Sequence, residues 1–571
     1  MVKFTSPQRS LRSGAFLCFL LALILTVNAG VVEYNLTVTQ DQRSPDCFSR
    51  LVVLINNQLP GPEIRVHPGD TLVVNVLNQM DTDVVSMHFH GMLNKGTPFS
   101  DGVPRLTQWP ILPGTMYRYE INVGDQVGTY FYHASTGIHG MTAFGALVVD
   151  DNLGPRIYKY EEERNILLSD FFHKDDDDIT TGLVSPNFRW IFSPQSLLIN
   201  GKNLVKTKCA SKEDKVCTSC EHDVTTVESG KTYRFRIYGS AMAAFFRFKI
   251  GGHKMTVIEV DGSYVKPFQT DHIEVNAGQR FSVLVHANQR PGTYYMKSEP
   301  GYEWKAPADQ ADGVAILQYK EAGKPNTKET PNQMSLPTVP PQQFLWETDK
   351  FVKLPYRTEA VPEFPYKYDR EFIMTPTVVL LGQGSGLVGV ATKMVINNVT
   401  YEHPRTPLLN DLYTGQMSRK IDYSQVPADG YDPRRGTYPI QLGEVIQVVL
   451  QLTADPNGRC DVHPFYLHGH KLFDLGGGKG AYPGRPPRLY NPPFPRDIIT
   501  LYPTAESQGV HNEPHSPCGW RVFRFVANNP GVWLFQCRAT PHAIMGMAAV
   551  FEVGVERLPP PPPTLGKLVG Y

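Results

Sequence analysis

Charge of one sign, long apolar runs and cysteine are all scarce in this chain of 571 residues. Lysine plus arginine and aspartate plus glutamate number 55 each, so the composition implies neither a nucleic-acid partner nor an attraction to a charged membrane surface. Beyond residue 29 no segment is apolar enough to span a bilayer. The one apolar run, Ala15 to Thr26, is short for spanning and follows Lys3, Arg9 and Arg12. Val27-Asn28-Ala29 then offers small residues for cleavage, so residues 1–29 are expected to be a secretory signal. The expected address is secreted, extracellular or cell wall.

Of the eight cysteines, Cys18 leaves with the signal. Cys47, Cys209, Cys217, Cys220, Cys460 and Cys518 form an even set suited to three disulfides in an exported protein, with connectivity open at this point. Asn35-Leu36-Thr37 and Asn398-Val399-Thr400 are acceptor sequences for glycosylation in the same compartment. The remaining cysteine, Cys537, is free for other chemistry.

What the chain has in quantity is β-pattern. Short runs rich in β-branched and aromatic residues, such as Thr71 to Leu77, Thr129 to His133, Phe245 to Ile250, Val445 to Leu452 and Ala548 to Val553, recur between turns. The length exceeds one core, and the runs group into three tandem β-units. The expected bounds are 30–152, 153–320 and 370–556, with a Pro-rich linker at 321–369 and a Pro-rich tail at 557–571. Four adjacent acids, Asp175 to Asp178, are expected in a solvated loop.

The chemistry concentrates in Trp533 to Met547. Cys537 is followed by His542 five residues on and Met547 ten residues on, and His463 opens a histidine-rich run upstream. Two imidazoles, a thiolate and a weak axial thioether are the donor set of a blue-copper site, which passes one electron at a time. A second layer of histidines lies at strand ends. His88-Phe89-His90 carries two rings on one strand face, and His133 and His468 are further candidates.

These pieces carry a resemblance. Met87-His88-Phe89-His90-Gly91, Ser100-Asp101-Gly102, Thr129 to His133, His463 to His470 and Trp533 to Cys537 resemble the copper motifs of the multicopper oxidases, the laccase and ascorbate oxidase family. The resemblance implies an all-β chain of three cupredoxin-like Greek-key sandwich or barrel domains. It also implies a type 1 copper that takes electrons from a reductant and a trinuclear copper cluster that reduces O₂. The type 1 set carries over as His463, Cys537, His542 and Met547, with His542 and Cys537 the catalytic pair. Of the cluster's eight histidines only His88, His90, His133 and His468 carry over; the others fall on Ser135, Tyr466, Gln536 and Arg538. The resemblance further suggests the disulfides Cys209–Cys217, Cys47–Cys220 and Cys460–Cys518.

The losses are not conservative, since a guanidinium stays charged and offers no lone pair to a metal. The expectation is a secreted copper protein that takes single electrons from a small organic reductant, phenolic or ascorbate-like, or from an electron-transfer partner protein. Four-electron O₂ reduction is expected to be impaired or absent. The rivals are an active oxidase with altered cluster ligands and a non-catalytic auxiliary protein of the cell surface.

Overall fold

The computed structural model describes residues 30–151, 157–191, 193–205, 220–302, 310–320, 335–346, 350–354, 363–381, 391–486, 493–503 and 512–562. The expected signal at 1–29, Cys209 and Cys217 with their expected bridge, and the tail beyond 562 lie outside these residues.

Period-two patterning writes the strands. In Met116–Asn122, Tyr117, Tyr119 and Ile121 are buried while the residues between them are exposed. Among the described residues the strands form seven sheets. Near the N-terminus, one four-stranded sheet runs in the order Arg50–Ile55, Val31–Arg43, Thr71–Asn78, Met116–Asn122. A second runs Gly61–Val66, Phe144–Val149, Gly128–Ala134, Met87–His90. Leu36, Val74 and Tyr119 of the first sheet share a core with Ile64, Phe89 and Leu147 of the second, which makes a sandwich.

A six-stranded and a five-stranded sheet build the next sandwich, with Phe235, Val257 and Val283 packed against Phe246, Met296 and Leu317. The last sandwich joins two five-stranded sheets through Val448 and Phe523 against Phe465, Phe535 and Phe551. Each sandwich contains parallel neighbours distant in sequence, such as Val31–Arg43 beside Thr71–Asn78 and Tyr438–Ile440 beside Ala548–Val553. Such pairs need crossing connections rather than hairpins. The all-β, three-sandwich expectation is met.

Two details differ from expectation. The acid run is not a loop: Asp175 is the N-cap of the helix Asp176–Val184, which buries Ile179 and Leu183. Negative charge is favourable at a helix N-terminus, and Asp176 also pairs with Arg50 at 2.9 Å while Asp177 and Asp178 stay exposed. The described part of the 321–369 linker is also more than a crossing, because Trp346 and Phe351 sit in the core of the second sandwich.

Covalent and ionic ties hold the sandwiches together. Cys47–Cys220 links the first to the second, and Cys460–Cys518 lies within the third. Asp497 accepts both guanidinium branches of Arg280 at 2.7 Å, and Arg496 donates to Asp261 at 3.0 Å. Thr129 of the first sandwich donates to Glu259 of the second through both its amide and its hydroxyl, each at 2.8 Å. Asn35 and Asn398 are exposed.

Candidate metal centre

Strand alternation decides which way each site residue faces. Phe465 pairs with Cys537 and Tyr466 with Gln536 across neighbouring antiparallel strands. Directly opposed residues share a face, so Cys537 lies on the face of Phe465 and, two residues back, His463. Tyr466 and Gln536 lie on the other. One pair of strands therefore serves two pockets, back to back.

On the first face His463 Nδ1 lies 3.6 Å from Cys537 Sγ, and His542 Nδ1 lies 3.5 Å from it. The two ring nitrogens are 3.1 Å apart. His542 comes from the short helix Thr540–Ile544, whose start is tied to the second sandwich by Thr540 N donating to the Met242 carbonyl at 2.8 Å. The chain then doubles back. Met547 N donates to the His542 carbonyl at 2.9 Å, and Cys537 N donates to the Met547 carbonyl at 3.1 Å, which closes the Cys–His–Met segment on itself. Gly546 makes that reversal at φ +111°, where a Cβ would meet Thr400 and the Met394 carbonyl.

Cys537 and Met547 are fully buried, and Cys537 is the free cysteine of the described residues. Burial pushes the Cys537 thiol up and takes His542 down to about 4. Burial, and then His542, takes His463 well below the ordinary imidazole range. Both rings are thus neutral near neutral pH, the form that binds a metal. Trp190, in the segment after the helix Asp176–Val184, stacks over His542 at 5.5 Å between centroids.

The second pocket gathers His88, His90, His133 and His468. His88 pairs directly with His133 across strands Met87–His90 and Gly128–Ala134, and His90 shares their face. Donor atoms of His88, His90 and His133 lie within 4.8 Å of one another. Both nitrogens of His90, and Nε2 of His133, are buried with no hydrogen-bond partner. His468 Nδ1 donates to Asp101 at 2.9 Å, and His88 Nδ1 donates to the Asp101 carbonyl at 2.6 Å. Burial opposes ionisation of Asp101, but His468 and then His88 hold its carboxyl below the usual range.

The four substituted positions surround the same space. Tyr466 stacks on His90 at 4.0 Å, accepts the Gly91 amide at 2.9 Å and points its hydroxyl at His88 Nε2, 3.3 Å away. The Ser135 hydroxyl donates to the Gly102 carbonyl at 2.5 Å. The Gln536 amide reaches His468 Nε2 at 3.5 Å. Arg538 is buried and donates from Nη1 to Thr540 Oγ1 at 2.9 Å, while its Nε has no partner. His88, His133, His468, Ser135, Gln536 and Arg538 line one cavity of about 90 Å³.

Sequence reasoning named every histidine here. It quoted Asp101 within the motif Ser100-Asp101-Gly102 but gave it no role, and it had no signal for Trp190. His139 and His470, which lie near the retained histidines in sequence, do not join the cluster: His470 packs edge-on against Phe525 and Trp533, and His139 sits beside Asp176.

Three multicopper oxidase family profiles match residues 37–154, 162–322 and 401–557. An L-ascorbate oxidase of Cucurbita pepo var. melopepo is 34% identical over 553 residues, covering 90% of this chain and 93% of that protein. Laccase-like multicopper oxidase 1 of Thermothelomyces thermophilus is 30% identical over 580 residues, covering 92% and 87%. The crystal structure of the multicopper oxidase Fet3p superposes with a TM-score of 0.73 at 25% identity, covering 94% of each chain. These likenesses run through all three sandwiches, and the chain belongs to the multicopper oxidase family.

Proposed function

We propose that this protein is an exported single-copper oxidoreductase: His463, Cys537, His542 and Met547 hold a type 1 copper, and the cluster pocket does not hold three copper ions. When bound there, copper alternates between two oxidation states and so passes single electrons. The donor set fits that metal. One soft thiol and two neutral imidazoles converge, and the buried thioether residue lies on the same closed segment. Cys537 gives up its proton on metal binding, which offsets the burial that otherwise holds the thiol protonated. His542 carries electrons inward from a small organic reductant, phenolic or ascorbate-like, and Trp190 covers its outer side.

Arg538 is the observation that carries the second half. It sets a buried cation at the edge of the space formed by His88, His133 and His468. Two unit charges of like sign ~4 Å apart repel by about 4 kcal/mol at an effective dielectric near 20, and a divalent ion is repelled more. Tyr466 and Ser135 already spend their hydroxyls on protein partners. The residues present therefore suit the family's three-metal group poorly.

Elemental analysis with electron paramagnetic resonance tests this reading. The expected result is about one copper per chain, with the narrow hyperfine splitting of a copper–thiolate site. Three or four coppers would sink it.

The convergence of His88, His90 and His133, with orphaned nitrogens on two of them, favours a second reading: an active oxidase that works with altered cluster ligands. That reading requires oxygen uptake with a phenol or ascorbate that Cys537→Ser abolishes.

A further inference from the structure

We infer that the cavity holding Arg538 is a binding site for a small oxyanion that carries an O–H, of which bicarbonate is the simplest representative. The inference rests on the reading above, that no copper ion occupies the position Arg538 has taken.

The first ground is an unpaired buried cation. Arg538 is 6% exposed, and among the described residues no carboxylate lies within ion-pair distance of it. Asp170 is the acid that acts on it most strongly, but the Asp170 carboxylate is spent on the amides of Met242, Ala243 and Ala244 at 2.7–2.9 Å. A guanidinium carries five N–H donors. Here Nη1 reaches Thr540 and the buried Nε reaches nothing. Isolated buried charge is strongly disfavoured unless paired, and an anion in the adjoining cavity completes the pair.

The second ground is room and access. The cavity measures about 90 Å³, enough for a few non-hydrogen atoms, and it reaches solvent at the exposed residues Gly137 and His403.

The third ground selects the kind of anion. The Ala134 carbonyl can only accept, so His133 Nδ1, 2.8 Å away, carries the proton and Nε2 bears the lone pair. The same logic, through the Asp101 carbonyl, leaves a lone pair on Nε2 of His88. Tyr466 reaches that nitrogen at 3.3 Å and Gln536 reaches His468 Nε2 at 3.5 Å, while His133 Nε2 is left without a donor. A bare halide or nitrate would meet that lone pair with repulsion. An oxyanion with a proton donates its O–H to His133 and presents its charged oxygens to Arg538.

Bicarbonate and nitrate make a matched pair of probes: planar, singly charged and alike in size, one with an O–H and one without. Calorimetric titration of the copper-loaded full chain at fixed ionic strength is expected to give one bicarbonate per chain, with nitrate at least tenfold weaker. Arg538→Gln is expected to abolish bicarbonate binding while the blue thiolate–copper band persists. Should that variant lose the band, a crystal of the unaltered protein grown with bicarbonate decides, with a planar ligand expected between Arg538 and His133. Equal affinity for nitrate overturns the assignment of the O–H. No bicarbonate heat, or heat unchanged in Arg538→Gln, overturns the site, while a copper count near one leaves the single-copper reading standing. A count of three or four removes that reading and the space for the anion together.

Discussion

Arg538 follows Cys537 directly, just past the end of the strand Gly531–Cys537, yet the two side chains serve different pockets, and that separation lets one change without harming the other. The cation sits among neutral rings. Burial, then His468, takes His88 down to about 3, and burial, then Arg538, takes His133 well below its ordinary range. Replacing Arg538 with histidine removes the cation and supplies an imidazole near His90 and His133. Arg538→His is therefore expected to raise the copper count from about one towards two, still short of three because Ser135, Tyr466 and Gln536 remain. Elemental analysis checks it, and an unchanged count would mean the charge is not what excludes metal. At this scale the sequence was readable wherever ligands sit close along the chain, as Cys537, His542 and Met547 do. Asp101 escaped because its partner His468 lies 367 residues away, a proximity that only the packed sandwiches create. Trp190 escaped because a lone aromatic ring with no periodic neighbours carries no signal of what it covers.

Strands were the legible elements, since a half-buried strand prints its period in the residues. The helix Asp176–Val184 was not, because four acids in a row read as exposed charge before they read as a helix start, and only Ile179 and Leu183 mark its buried side. The segment Ser100-Asp101-Gly102 shows how an irregular stretch earns its place. The Asp101 carbonyl and carboxylate orient His88 and His468, and the turn after it needs φ +80° at Gly102. A Cβ there would collide with the Met87 carbonyl, on the strand that carries His88. Gly102→Ala is expected to cost at least about 1–3 kcal/mol, the range for a side chain forced into the left-handed region. The loss should spare the type 1 pocket on the far face. A lowered melting temperature with an unchanged blue band would agree with this, and loss of the band would show that the two pockets are mechanically coupled.

Across the whole molecule, the histidines give the sandwich assembly a pH dependence whose sign can be worked out. His88 is taken down to about 3, and His470 and His542 to about 4, with burial the leading cause in each. His90, His133 and His463 are also held well below the ordinary value, again by burial first. An unfolded chain takes up these protons near pH 6.5, whereas the folded chain refuses them until the lower values are reached. Between those limits the unfolded state binds more protons, so stability is full above about pH 7 and drains away as pH falls towards 4. Each such histidine contributes a slope of about 1.4 kcal/mol per pH unit within its window. The metal-free protein should therefore show a melting temperature that drops steeply from pH 7 to pH 5. His470 separates this effect from metal chemistry, because it lies outside all three groups of converging ligand atoms and packs on Phe525 and Trp533. His470→Gln removes one of the titrating groups, so the slope should be shallower by about that one increment, measured on metal-free protein. A melting temperature flat from pH 7 to pH 5 would mean that these rings reach water in the folded state, which the packing of all three sandwiches argues against.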